Sequence, residues 1–596
     1  MMFIGKFKNN RPLPEMLVWN KGGRISYDQV SSVCINERIK VYFWGVLYNR
    51  ESIVDKDDLS DAAIIAEMYE RSGDSRFSCL DGSFTFVVFD SEQALIVRDH
   101  HGTNKPVYYN KYFFASSLAL LQKTDGFITE PNFQALADFL SIGYISTPTS
   151  SLKGVYKLGA GEILIYRNGE SVTKQLYPTD GILPVQSNKS LDEWAEEYGT
   201  LHSEAIKKRI GNNSDIGILL SGGYDSGCNL VALRKIYSGD IHSYSIGFKG
   251  DTWTELPLAK CMSETFGTIH EEYEIDGSEI TALPDIVDFL GDPFVEGGLM
   301  VNYTVMRLIG CNKPGVILGG DGSDQYFGTS GREVALHYLL SKYKITPIFG
   351  LIYHMLSRSG FDKNNSLYRI RFHLDKILNI LKGDLFGFPN FHLKTMLQDC
   401  SLIRSAEELR SDLRSFEHLY LQHAYKTDLE KIINQVILFK ASRMADLFDN
   451  TMAFPYMDLD IYHFLQQMPV HYKCKGENVI DIAKGYATSK YLLKYHYKPM
   501  LPEVITSKKK QGGFAPMPLF FKDDKQRAQI ADFIMTSSVT RNFLKRDVVG
   551  RFIKQYDQEV NTDGNWFWYK QSKAIQYFNL YTLALWWERF IEQNYD

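Results

Sequence analysis

An α+β layered sandwich, followed by an α/β parallel-sheet domain with a large helical part, is the fold the sequence predicts. Three observations carry that reading. Short β-type runs separated by turn signals fill the first ~175 residues, apolar strands ending in glycine-bearing turns follow from about Leu191, and beyond ~335 the chain reads mainly helical.

In chain order, IKVYFWGVLY (39–48), SFTFVVFD (83–90), ALIVRD (94–99), YFFASS (112–117) and GEILIYRNGE (161–170) read as strands, with Asp61 to Arg71 as a helix between them. YPTDGILPVQSNKS (177–190), with two prolines and many polar residues, is the linker candidate, so the units are expected at 1–178 and 193–596, joined through 179–192. SDIGILLSGG, IHSYSIGF (241–248) and GVILGGDG (315–322) then repeat one logic, an apolar strand leading into a polar turn. That pattern predicts a parallel sheet with its site at the carboxyl ends of the strands. The closing FNLYTLALWWERFIEQ reads as helix.

Composition narrows the class. A chain of 596 residues is too long for one core. The net charge of −5 gives no reason to expect nucleic acid, and the basic run Lys508, Lys509, Lys510 is too short for a polyanion-binding tail. Seven scattered cysteines without a CxxC pair fit a reducing compartment and suggest neither a disulfide framework nor a zinc site. The opening MMFIGKFKNNRP is too short in apolar run for a signal peptide. The most apolar internal stretch, near Ile345 to Leu356, is about half the ~20 residues of a spanning helix. A cytoplasmic protein with no nucleic-acid and no membrane partner is expected.

The sharpest motif is Ser221-Gly222-Gly223-Tyr224-Asp225-Ser226, directly after Ile216-Gly217-Ile218-Leu219-Leu220. Two glycines let backbone approach a phosphate chain, and the helix that follows points free N–H groups at the anion. The hydroxyls add donors, and Asp225 can hold Mg²⁺ against phosphate oxygens. No GxxxxGK[ST] occurs, so γ-phosphate transfer is not the implied reaction.

These residues bring out a resemblance. SGGYDS looks like the pyrophosphatase loop of the asparagine synthetase family, whose members cleave ATP to AMP and pyrophosphate. Leu318-Gly319-Gly320-Asp321-Gly322-Ser323-Asp324, continuing into Gln325-Tyr326-Phe327-Gly328, resembles its L-[ST]-G-[DE]-G-[AGS]-D-E-L-F-G. SYSIGF, SKYLLK (489–494) and SKKKQGGFAPMPL (507–519) resemble further family segments in the same order. The resemblance implies Mg²⁺ on Asp225 and Asp324, ATP against Leu220, Ser221, Gly222, Gly223, Ser226, Ile246, Gly319 and Gly320, and catalytic parts for Lys510 and Asp321. The extra glycine of Gly512-Gly513 leaves Lys509 as a competitor for Lys510.

The first domain is similar to the family's glutaminase of the N-terminal-nucleophile type through SDAAIIAEMYERSGD, DGSFTFVVFD, VRDHHGTNKPVYY and GVYKLGAGEILIY. Its chemistry is missing. The family needs a cysteine directly after the initiator, whose thiolate attacks glutamine. Here Met2 stands there and the nearest cysteine is Cys34. The glutamine-clamping N-G-E falls on Trp44-Gly45-Val46, and Asp61 alone clamps nothing. A pseudo-glutaminase kept for architecture is expected.

A second departure touches substrate. KASRMADLFDNTMAFPYMD (440–458) aligns with the family's K-V-D-R-M-S-M-A-H-S-L-E-V-R-V-P-F-L-D, keeping Arg443, Met444, Pro455 and Asp458. The glutamate and arginine of S-L-E-x-R fall on Thr451 and Ala453, which argues against free aspartate as substrate. The leading expectation is therefore an ATP-dependent amide-forming ligase of specialised biosynthesis. It would adenylate a small-molecule or peptide carboxylate and join it to an amine, as in the β-lactam synthetases and lasso-peptide cyclases that the pattern also resembles. An ammonia-dependent asparagine synthetase and a non-catalytic ATP-binding scaffold are the alternatives, with a homodimer or a biosynthetic protein as possible partner.

Overall fold

The structure is a computed structural model. It describes residues 2–7, 16–19, 32–36, 38–53, 59–178, 182–250, 254–310, 314–358, 362–383, 386–403, 411–507, 515–559, 562 and 564–593.

Two sheets build the first unit. One has five strands, β1 (Met2–Lys6), β2 (Met16–Trp19), β7 (Tyr108–Tyr109), β8 (Phe113–Ala115) and β9 (Tyr156–Lys157), in the order β2-β1-β8-β7-β9. The other has six, β3 (Ser32–Ile35), β4 (Lys40–Leu47), β5 (Gly82–Phe89), β6 (Gln93–Arg98), β10 (Glu162–Arg167) and β11 (Glu170–Gln175), in the order β11-β10-β6-β5-β4-β3. Every pairing in both is antiparallel.

Phe3, Tyr42, Trp44, Val87, Ile96 and Phe114, drawn from both sheets, share one core. The opposite face of the six-stranded sheet, with Val41, Phe43, Phe86 and Val97, belongs to the main core. It packs on helix Asp61–Ser72, whose start is capped by Ser60 Oγ accepting from Ala63 N–H. Successive strand side chains point to opposite faces, so burial on both faces gives β4 and β5 the apolar stretches VYFW (41–44) and FVVF (86–89).

The second unit is organised by an all-parallel sheet in the order β14-β13-β12-β15-β16: β12 (Ile216–Leu219), β13 (Ile241–Phe248), β14 (Ile269–Ile275), β15 (Val316–Leu318) and β16 (Met452–Ala453). Helix Leu191–Ile210 leads into it, starting inside the stretch read as linker. Its first turn is closed by a capping box in which Ser190 and Glu193 satisfy each other's backbone N–H groups.

The chain leaves β12 toward β13 and β14, then returns to add β15 and β16 on the other side. The order therefore reverses between β12 and β15, and open α/β sheets bind ligands in the crevice beyond such a switch point. The helical part follows and ends in Phe567–Trp587, whose Leu580, Leu583, Ala584 and Trp586 are buried. No described helix is long and apolar enough to cross a membrane.

Candidate active site

At the carboxyl end of β12 the chain turns through Ser221, Gly222 and Gly223 into helix Tyr224–Ile236. Gly222 has φ +72°, and a Cβ there would meet Leu258 Cβ at 2.7 Å and Ala259 N at 2.8 Å. Only glycine fits such a turn without strain. Ser226 Oγ accepts from Ser221 N–H at 3.1 Å and lies 3.0 Å from Ser221 Oγ, which accepts from Gly223 N–H at 3.3 Å. Below the loop, Tyr456 donates its hydroxyl to Asp225 O at 2.7 Å. The loop is held from beneath while its helix N-terminus opens into the crevice.

The second turn, Gly319 to Ser323, follows β15. A Cβ on Gly320 would stand 3.2 Å from Ser226 N, so the two loops pack backbone to backbone. A buried chain of hydrogen bonds sets their spacing: Asn229 Nδ2 donates to Gly319 O at 3.0 Å, Asn229 Oδ1 lies 2.9 Å from His202 Nε2, and His202 Nδ1 lies 2.6 Å from Tyr497 Oη. Leu220 is buried and Ile246 half-buried beside this crevice, on or next to β12 and β13.

Lys490 closes the site. Its Nζ donates to Asp225 Oδ1 and Oδ2 at 2.6 and 2.7 Å and to Ser323 Oγ at 3.1 Å, and lies 2.9 Å from Asp324 Oδ1. Burial opposes the charge on this lysine, but Asp225 and Asp324 outweigh it and hold the ammonium above its ordinary range. Lys490 is also one of the few non-glycine residues at positive φ, at +50°, with its N–H on Gly328 O at 3.2 Å. No part for this lysine follows from the sequence alone; the available signal is its place inside SKYLLK, a segment in family order.

Two carboxylates that converge on one cation, with a serine hydroxyl beside them, are hard oxygen donors. Mg²⁺ takes one or two protein carboxylates and completes its shell with substrate phosphates and water. The pair therefore fits Mg²⁺ held jointly with a phosphate chain. Among the described residues no group of three or more His, Cys, Asp or Glu is arranged to hold a metal ion by itself.

A second charge cluster flanks the crevice. Lys440 Nζ bonds Glu296 Oε2 at 2.5 Å, and Glu296 Oε2 accepts from Gly298 N–H at 2.7 Å. Burial pushes the Asp321 carboxyl up to about 6, against the pull of Lys440 and with help from Glu296 and Asp225. The loop bearing Glu296 is gripped by the first unit: Asp292 Oδ1 accepts from the hydroxyls of Ser150 and Ser151 at 2.9 and 2.6 Å, and Lys157 pairs with Asp292 Oδ2 at 2.8 Å. Thr451 is exposed and Ala453 buried, both neutral where the family pattern has charge.

Lys510 and Lys509 lie outside the described residues. Their flanks do not. Leu501 approaches Gly227 on the helix after the glycine loop, and Met517 approaches Gly297 beside Glu296. Gln571 fixes the second flank by accepting from Met517 N–H at 2.7 Å and donating to Ala515 O at 2.8 Å.

In the first unit, Met2 opens β1 and Trp44 stacks on Phe3 with ring centroids 4.2 Å apart. Asp61 is engaged, paired with Arg50 and accepting from Leu47 N–H at 3.3 Å. Val46 is 37% exposed.

Fold and site together fit the class of ATP-dependent carbon–nitrogen ligases that carry an amidotransferase-type domain. The pattern of the asparagine synthase family matches residues 198–588, well over half of the chain, and that of the glutamine amidotransferase domain matches 34–177. The chain belongs to the asparagine synthase family, whose members use ATP to form carbon–nitrogen bonds.

It is 22% identical over 573 residues to asparagine synthetase [glutamine-hydrolyzing] 1 of Bacillus subtilis, covering 92% of this chain and 86% of that one. It is 29% identical over 310 residues to a Methanocaldococcus jannaschii protein provisionally named asparagine synthetase [glutamine-hydrolyzing] 2, covering 49% and 58%. With asparagine synthetase of Asparagus officinalis it shares 23% identity over 320 residues, covering 52% and 50%. The chain thus spans only about half the length of the last two relatives.

Proposed function

We propose that the protein is an AMP-forming amide ligase without glutaminase activity. It activates a substrate carboxylate as the acyl-adenylate, releases pyrophosphate, and passes the acyl group to an amine. The convergence of Asp225 and Asp324 on one cation at the sheet's switch point supports this reading most. In it, the backbone of Gly222 and Gly223 and the hydroxyls of Ser221 and Ser226 receive the phosphates of ATP. Leu220, Ile246, Gly319 and Gly320 border the nucleoside. Mg²⁺, held by Asp225 and Asp324, would neutralise charge on the phosphate chain when bound. Asp321, with its raised pKa, takes the proton lost by the attacking amine. Lys510, or Lys509, faces the charge that develops on the adenylated carboxyl.

The first domain serves as scaffold for the Glu296 loop, and the amine is free ammonia or part of the substrate. The neutral Thr451 and Ala453 favour an acyl donor other than free aspartate, in a specialised biosynthesis. ATP–pyrophosphate exchange screened over candidate carboxylates tests the reading. Exchange with AMP as co-product is expected, to be lost in Asp225→Asn and in Lys510→Met or Lys509→Met. ADP formation, or unaltered exchange in all three variants, overturns it. The relatives' names, asparagine synthetase [glutamine-hydrolyzing], support a second reading as an asparagine synthetase, run here on ammonia, and exchange driven by aspartate alone would favour it.

A further inference from the structure

Helix Thr346–Leu356, TPIFGLIYHML, buries only Leu356. Its Ile348, Leu351, Ile352 and Met355 are 59, 61, 38 and 55% exposed. Those positions follow the i, i+3, i+4, i+7 spacing of a helix's apolar face, which in globular proteins turns to the core. Here it turns outward. The adjoining helix Ser366–Leu378 packs against it and adds Leu367 and Ile370, 40 and 47% exposed.

Charge sets this patch apart. Between residues 342 and 382 the chain has eight Lys and Arg against two Asp, although its overall net charge is −5. Both acids are engaged: Asp362 by Lys573, Arg371 and His392, and Asp375 by the Tyr353 hydroxyl at 2.6 Å and Asn379 at 2.7 Å. Tryptophans border the second helix of the pair. Phe372 lies 5.2 Å from Trp566 and 6.3 Å from Trp568, with the Arg369 guanidinium 5.3 Å from the Trp566 ring and Lys376 Nζ 5.5 Å from the Trp568 ring.

An apolar stripe, a basic rim and flanking tryptophans are the chemistry of a helix lying in the interface of an anionic bilayer. Tryptophan places an apolar ring and an N–H at that boundary, while long basic side chains reach the head groups. We propose that the hairpin of helices Thr346–Leu356 and Ser366–Leu378 docks the protein onto an anionic lipid surface.

A second copy is a poorer occupant, because a two-fold pairing would lay one basic rim on the other. Hydropathy led to the expectation of no membrane partner because it registers spanning segments. A helix of 11 residues lies in an interface without spanning it.

Co-sedimentation of the full-length protein with vesicles tests this, using phosphatidylcholine alone and phosphatidylcholine mixed with phosphatidylglycerol. Binding is expected to the mixed vesicles only, and to be released by high salt. The exposed double variant Ile348→Ser/Leu351→Ser should weaken it about tenfold or more. Lys342→Glu/Arg358→Glu should do so by a similar factor. ATP–pyrophosphate exchange should persist in both, which shows that they fold. In the unmutated protein, brominated lipid should quench tryptophan fluorescence. Absence of vesicle binding, or native binding by both variants, overturns the proposal. So does light scattering that shows a dimer which Ile348→Ser/Leu351→Ser splits.

Discussion

The Lys490 ammonium grips both carboxylate oxygens of Asp225, at 2.6 and 2.7 Å, from a backbone position at φ +50°. Left-handed backbone at a residue with a Cβ costs about 1–2 kcal/mol, and such strain gathers where a side chain must be aimed. Lys490→Met would leave Asp225 and Asp324 facing each other without a countercharge. ATP–pyrophosphate exchange should fall about 10²–10³-fold, the usual loss for one well-placed cationic donor. Lys490→Arg should not restore it, since only 4% of the lysine side chain is exposed and a planar guanidinium needs more room. Exchange within a few-fold of the unmutated protein in either variant would remove Lys490 from the site.

Two adjacent glycines should respond differently. Gly222→Ala forces a Cβ against Leu258 and Ala259 at positive φ and should lower stability by about 1–3 kcal/mol. Gly223 has φ −92°, and a Cβ there meets only Ser221 Oγ at 3.3 Å. Gly223→Ala should keep its thermal midpoint within a degree or two, about 0.5 kcal/mol. Equal losses in a thermal melt would show that the turn is not what restricts position 222.

The contrast shows what local chemistry makes legible. The glycine turn after β12 was readable because phosphate-loop geometry is written in consecutive residues, and β13, IHSYSIGF, was readable because it repeats the same strand-to-turn pattern. β16 has two residues, too few for any period, and becomes a strand only by pairing with β15. β14, IHEEYEI, is an edge strand with exposed Ile269, Glu272 and Glu274, so its polar residues hid it. Ser190 and Glu193 did carry a capping signature, which straddles the end of the linker expected at 179–192. The grip of Lys490 on Asp225 and of Ser150 on Asp292 joins residues far apart in the chain, and no local pattern encodes such pairs.

Acid should loosen the contact between the two units at His101. Its Nδ1 lies 2.9 Å from Asn434 Oδ1, an acceptor, so that nitrogen carries the proton, and Nε2 accepts from the Tyr326 hydroxyl at 2.9 Å. Burial brings this histidine down to about 4. The unfolded chain therefore binds the extra proton first, and stability drawn from neutral His101 is lost as pH falls from about 6.5 toward about 4. His101→Gln removes that linkage. Its thermal midpoint should approach, or overtake, that of the unmutated protein between pH 7 and pH 5, and a constant gap would contradict the assignment.

Glutamine should not serve as nitrogen donor. Met2 has no nucleophile to offer, Trp44 is packed on Phe3, and Asp61 is occupied by Arg50. Purified protein should release no glutamate from glutamine above a blank, and amide-labelled glutamine should leave the product unlabelled. Turnover of either kind would restore a working first domain.

The Asp292 clamp gives the first domain a structural part in the second. Removing residues 1–178 would strip Ser150, Ser151 and Lys157 from a carboxylate that is 6% exposed, and take Asp81 from the buried Arg209 it stands beside at 3.7 Å. It would also uncover the Phe133–Ile142 helix contact on Phe567–Trp587. Arg209 would keep Asp458 at 2.6 Å, but the freshly wetted apolar surface costs several kcal/mol, comparable to the whole margin by which a protein stays folded. The second unit thus borrows part of its interior from the first, and the two share one folding fate.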